Sequence, residues 1–245
     1  MGRHLAIVVL VAVLGGADPA QARQRAVVGL GAGGGVILGT RLLEANGPDG
    51  ASPGEIREVN LEDTPVASAH AEWYVIPHLA LRGHIARGTG RLDVQSREPV
   101  VGSGGVSTSS EAGRVRITAY DVGLSVWPWA PNSVGFAPFV TVGFGRLIYD
   151  FADVDGGSPF EALGSRDKHA LILGFGGDMH MWRSLVIRFE AIDHRVRSPV
   201  AQGDLVPGEP ARGGEGESEG IHNIRLLVAA HVYLPFHRAS PSRRR

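Results

Sequence analysis

The last long apolar stretch of the chain, Ile221 to Phe236 (IHNIRLLVAAHVYLPF), alternates without a break. Ile224, Leu226, Val228, Ala230, Val232, Leu234 and Phe236 share one parity, and Arg225, Leu227, Ala229, His231 and Tyr233 share the other. Side chains of an extended strand point alternately to its two faces, so one face here is wholly apolar while the other carries Arg and His. An apolar face of this length suits a bilayer, which a tilted strand crosses in about 9–11 residues. The stretch ends on an aromatic residue, and the polar segment 237–245 follows. These features predict a strand that closes a membrane β-barrel, with 237–245 as a polar periplasmic tail.

The other end of the chain fits export. Arg3 and His4 precede the apolar run Leu5 to Leu14, and Ala20-Gln21-Ala22 offers a small-x-small cleavage site. That pattern predicts a signal peptide over 1–22, too short and wrongly flanked for a spanning helix. The barrel is then expected over 23–236. With 24 Lys+Arg against 25 Asp+Glu, the chain lacks the basic excess expected of a nucleic-acid binder. It has no Cys, which excludes disulfides and thiolate-ligated metals. The Gly-rich segment Val27 to Leu38 contains GLGAGG, but no helix pattern follows it, so a dinucleotide site is not expected.

Between these ends the alternation returns again and again. Val66 to Ile76 sets Ala67, Ala69, Ala71, Trp73 and Val75 against Ser68, His70 and Glu72. His78 to Arg87 sets Leu79, Leu81 and Ile85 against Arg82 and His84. In Arg114 to Trp127, Tyr120, Val122, Leu124 and Val126 oppose Asp121 and Ser125, while Val115 and Ile117 stand against Arg114 and Arg116. That upper part breaks the apolar-out pattern, through either a bulge or the end of the membrane zone. Val140, Val142 and Phe144 oppose Thr141, Gly143 and Gly145. Leu171, Leu173 and Phe175 oppose Asp178 and His180, and Leu185, Ile187, Phe189 and Ala191 oppose Arg188 and Glu190. About eight strands result. The segments Gly39–Pro65, Gly88–Gly113, Asp153–Asp167 and Arg195–Gly220 read as long polar loops, and they alternate with short turns. Membrane barrels sort their connections in this way, short on the periplasmic side and long outside.

Two sets of side chains follow from the parity. His70, Glu72, Arg82, His84, Asp121, Asp178, His180, Arg188, Glu190, Arg225 and His231 fall on the inward face. An eight-stranded barrel is just wide enough for side chains to fill it, and charges there must pair. The expectation is a polar network that plugs the lumen. Trp73, Trp127, Trp129, Trp182 and Phe236 lie beside the short turns and are expected to form an aromatic girdle at the membrane interface, with Tyr149 and Phe151 at the opposite rim.

With these residues in view, the chain resembles the small outer-membrane β-barrel proteins of the OmpA/OmpX-like superfamily of Gram-negative bacteria. Val232-x-Leu234-x-Phe236 is similar to the C-terminal segment that such proteins present to the barrel-assembly machinery. The resemblance implies an all-β, eight-stranded, antiparallel up-and-down barrel in the outer membrane. It implies outer-membrane lipid, lipopolysaccharide and, during insertion, the assembly machinery as partners. No nucleic acid is expected, and the barrel is expected to be a monomer. The function expected is structural or surface-binding, with a narrow pore for small solutes or a lipid-modifying enzyme as the alternatives. His194, Asp193 and Ser198 come nearest to a hydrolytic set, but the His-Ser motif of lipid A deacylases is absent after His194, so no enzyme is expected. The inward histidines are spread over separate strands without ligand spacing, so no metal and no cofactor are expected.

Overall fold

The computed structural model describes residues 26–44, 56–76, 78–98, 106–128, 136–154, 163–181, 185–200 and 220–235. The expected signal peptide and tail, together with Trp129, Trp182 and Phe236, lie outside these residues. Among the described residues there are ten strands. They are β1 (Ala26–Ile37), β2 (Thr40–Glu44), β3 (Ile56–Leu61), β4 (Thr64–Ile76) and β5 (Leu79–Glu98), then β6 (Val106–Val126), β7 (Phe136–Val154), β8 (Ser165–His180), β9 (Leu185–Arg197) and β10 (Gly220–Pro235). Eight of them form a closed ring in the order β1-β4-β5-β6-β7-β8-β9-β10, and β10 pairs back to β1. Neighbours in the ring are antiparallel. The closing seam runs from Ala26↔Pro235 to Ile37↔Arg225, so no sheet edge is left along it.

The remaining two strands correct the loop expected over Gly39–Pro65. β2 continues β1 after a break at Leu38 and Gly39, and β3 leads into β4 after a break at Glu62 and Asp63. Asp63 Oδ1 accepts from the Gly39 amide at 2.7 Å and ties the two breaks together. Above them β3 pairs with β5 from Leu61↔Leu92 to Ile56↔Ser96, in the place that β4 holds lower down. The Thr40 hydroxyl reaches the His222 carbonyl at 2.9 Å, which docks β2 against β10. The Gly88–Gly113 loop is corrected in the same way. β5 and β6 stay paired from Leu79↔Val126 to Glu98↔Val106, with one register shift at Leu92/Asp93.

The reason is visible on β6. Val115, Ile117, Ala119, Asp121 and Ser125 are all buried, so the parity never breaks. What changes is the surroundings of the wall. At membrane level the outside is apolar and the inside polar; higher up Arg114 and Arg116 face outward while Val115 and Ile117 face in. The upper wall, with charged residues outward, surrounds an apolar core of its own, formed by Leu42, Val59, Leu61, Leu92, Val94, Val115, Ile117, Leu147, Tyr149 and Phe151 among others. Tyr149 and Phe151 therefore belong to this core and not to an outward rim.

Candidate functional site

The interior has three layers. At the end where the chain termini of the barrel meet, Tyr74, Trp127, Phe139 and Tyr233 pack with Ala80, Ala137 and Val186. The apolar core fills the other end. The charged residues lie between them.

Arg188, on β9, is the centre of the lower half of that middle layer. Its Nε donates to Asp178 Oδ1 at 2.7 Å and its Nη2 donates to Asp178 Oδ2 at 3.1 Å. Its other edge grips Glu72, through Nη1 to Oε1 and through Nη2 to Oε2 at 3.1 Å. Two carboxylates around one guanidinium need further donors, and the aromatic layer supplies them. The Tyr74 hydroxyl donates to Glu72 at 2.6 Å, while Trp127 Nε1 and the Tyr233 hydroxyl donate to Asp178 at 3.3 and 3.2 Å. The guanidinium carbon lies 4.6 Å from the Phe139 ring centroid, a cation–π distance.

Three more groups complete the layer. Arg82 pairs with both oxygens of Glu190, its Nη2 at 2.6 Å from Oε2. Asp121 receives Arg225 at 2.6 Å, His84 at 3.1 Å and His194 at 3.0 Å. His70 and His231 stack and share a hydrogen bond of 2.8 Å, with Arg188 3.4 Å from His70. The cavity bounded by Arg82, His84, Asp121, Thr141, Ile172 and Ile192 measures about 10 Å³. That is at most the space of one water molecule.

Of the residues expected in the lumen, His70, Glu72, Arg82, His84, Asp121, Asp178, Arg188, Glu190, Arg225 and His231 are buried there. His180 is only half-buried and stacks on Tyr233, 6.4 Å between ring centroids. In the girdle, Trp73 faces out and is 56 % exposed. Trp127 is corrected: it is 1 % exposed and faces the lumen, where its indole N–H serves Asp178. Parity carried the right signal, since Trp127 is in step with Asp121 and Ser125. Tyr233 and the Ser125–Thr141 pair at 2.9 Å lie in the lumen, as the alternation predicts, and His194 and Tyr74 are lumen residues that position along a strand could also have revealed.

The hydrolytic set does not assemble. His194 turns inward to Asp121, whereas Asp193 sits on the opposite face with His222 at 2.8 Å. The Ser198 hydroxyl bonds to the carbonyls of Leu42 and Val200. Among the described residues no group of three His, Asp or Glu side chains is placed to hold a metal ion.

Outside, Leu30, Leu81, Val122, Val142, Leu173, Phe189 and Val228 are among the exposed apolar side chains that ring the barrel at the level of the charged layer. No protein-family model matches the chain. No curated protein matches it either. Solved structures do. The outer membrane protein OprG from Pseudomonas aeruginosa aligns with 86 % of this chain and 97 % of its own, at 10 % identity and a TM-score of 0.52. The outer membrane protein AlkL, solved in lipid bilayers, aligns with 92 % of this chain and 95 % of its own, at 16 % identity and a TM-score of 0.50. At these identities the likeness is one of fold. In fold the chain is an eight-stranded antiparallel barrel like those of these two outer-membrane proteins, and an apolar belt rings it at the level of the charged layer.

Proposed function

We propose that the protein is a non-catalytic outer-membrane barrel whose lumen is plugged, and that its role is structural or surface-binding. The observation that carries this reading is the Arg188 clasp, which ties β4, β8 and β9 together across the interior with Glu72 and Asp178. A guanidinium held on both edges is not a mobile pore-lining charge. Buried pairs of this kind break only at a cost of several kcal/mol, about 3–5 for loss of one partner. With the lumen closed, the groups left to act are the outer wall and the upper wall. The partners are then outer-membrane lipid and lipopolysaccharide, with the barrel-assembly machinery acting during insertion. The barrel works as a monomer.

Conductance tests the plug. The folded protein in a planar bilayer should give no steady current, and liposomes carrying it should not swell in small sugars. Swelling by the unaltered protein would replace this reading with a narrow pore. Thin-layer analysis of lipid A and phospholipid after incubation should show no new species, for the unaltered protein and for His194→Ala alike. A new species lost in His194→Ala would make it an enzyme.

A further inference from the structure

Among the described residues the charged layer sets three guanidiniums, Arg82, Arg188 and Arg225, against four carboxylates, Glu72, Asp121, Asp178 and Glu190. Two of the cations are matched one to one, Arg82 by Glu190 and Arg225 by Asp121. Arg188 is shared by Glu72 and Asp178. The layer is therefore one positive charge short, and the shortage lies around Arg188. A buried charge without a counter-charge either neutralises or finds a partner.

The two carboxylates are not placed to neutralise themselves. Both oxygens of Glu72 and both of Asp178 receive guanidinium N–H groups. The Trp127 indole, which can only donate, points at Asp178 as well. A carboxyl proton on any of these oxygens would compete with an N–H already there. The buried histidines are the other groups that can carry charge. His84 and His194 each direct a ring nitrogen at Asp121, which Arg225 already balances. His70 and His231 stand beside Glu72 instead. His231 Nε2 lies 3.7 Å from Glu72 Oε2, and its Nδ1 lies 2.8 Å from His70 Nε2. Arg188 Nη1, which has no lone pair to offer, is 3.4 Å from that same His70 nitrogen. His70 Nε2 is thus the acceptor for both neighbours, and the proton between the two rings belongs to His231 Nδ1. The second nitrogen of His231 is the one that faces the carboxylate. Tyr233 packs edge-on against the ring at 4.7 Å, and Gly29 on β1 leaves the space that the ring fills.

We infer that the closed plug binds one proton, held by His231 as an imidazolium. Its Nδ1–H is donated to neutral His70 and its Nε2–H is directed at Glu72, so His231 is the second cation of the Arg188 clasp. The layer then sets four cations against its four carboxylates, and the plug takes up a proton when it forms. The inference deepens the plugged-lumen reading above and rests on it.

The test is nitrogen NMR on the whole chain less the expected signal peptide, labelled with 15N-histidine and folded into phosphatidylcholine nanodiscs at neutral pH. His231 should show protons on both ring nitrogens and a coupling across the hydrogen bond to His70 Nε2, while His70 shows one ring proton. Glu72→Gln removes one carboxylate and with it the need for the extra proton, so His231 should then carry one ring proton. Stability gives a second reading. His231→Gln should lower the folding equilibrium constant roughly 10- to 100-fold, the worth of one charge-assisted contact. In the Glu72→Gln background the same replacement should cost roughly 10-fold less, whereas a packing role alone would cost the same in both. Should His231→Gln fail to fold, the spectrum of the unaltered barrel decides. One ring proton on His231 in an unaltered barrel that does not swell liposomes would overturn the inference and leave the plug standing. Equal costs of His231→Gln in the two backgrounds would also overturn it. Swelling by the unaltered protein would remove the plug and the inference together.

Discussion

At the scale of single residues, Arg188 has the most consequences. It is buried with two carboxylates, and removing it deprives Glu72 and Asp178 of the guanidinium they share. Arg188→Ala should lower stability by about 3–5 kcal/mol. Guanidinium unfolding in liposomes, followed by the gel shift between folded and unfolded bands, measures it. The triple replacement by apolar residues of similar volume, Arg188→Met with Glu72→Leu and Asp178→Leu, should lose less than Arg188→Ala alone, because no charge is then left unpaired. Trp127→Phe should remove one charge-assisted hydrogen bond to Asp178, worth about 1.5–3 kcal/mol, and keep the ring packing against Tyr74 and Phe139. The membership of this network was legible in the sequence and its pairing was not. Parity alone places Glu72, Asp178 and Arg188 inside. Which carboxylate meets which arginine depends on the stagger of strands far apart in sequence, and Arg188 and Glu72 are 116 positions apart. Trp127 was misread because two signals conflicted there, a rim location and an inward parity. An inward side chain stays inward at the rim when the lumen offers its N–H a carboxylate.

Among the elements, β1 shows why glycine is frequent in this wall. Gly29 and Gly31 point inward, and the rings of His231 and His70 lie against them; a Cβ would come within 2.4 and 2.2 Å of ring atoms. Gly33 points inward too, and its Cβ would lie 2.1 Å from the Val228 carbonyl oxygen on β10, which is backbone and cannot step aside. Gly34 points outward and would find its nearest atom at 3.4 Å. Neighbouring substitutions should therefore diverge. Gly33→Val should block closure of the β1–β10 seam and abolish the heat-modifiable band, while Gly34→Ala should leave it unchanged. Equal behaviour of the two would mean that the seam is not packed as closely as it stands here. The Gly-rich composition of this strand was evident from the sequence, and so was its strand character. The positions at which a ring or a carbonyl takes the place of a side chain required the partner strands. The elements missed altogether were β2, β3 and the upper parts of β5 and β6. In β3 and the upper part of β5 the outward residues Glu58, Asn60, Arg91 and Asp93 are polar and the inward residues Val59, Leu61, Leu92 and Val94 apolar, the reverse of the membrane-level pattern, so these segments resemble loops where an apolar outer face is expected.

On the scale of the whole molecule, the layered interior makes a prediction of its own. The upper core belongs to a wall with charged residues outward and is held together by apolar burial, whereas the middle layer belongs to a wall with apolar residues outward and is held by paired charge. Leu61 is buried in the upper core, and Arg188 is bound to Glu72, Asp178 and His70 below it. The two share no partner among these contacts. Leu61→Ala should remove about 2–5 kcal/mol through the cavity it leaves. If the layers are energetically separate, the loss in the double variant Leu61→Ala/Arg188→Ala should equal the sum of the single losses within about 0.5 kcal/mol. Limited proteolysis separates the layers further. Leu61→Ala should expose sites in the upper wall while the lipid-protected strands stay intact, and Arg188→Ala should leave the upper wall as resistant as before. A coupling well above that margin would show that the barrel unfolds as one unit, with the plug and the upper core each holding the other in place.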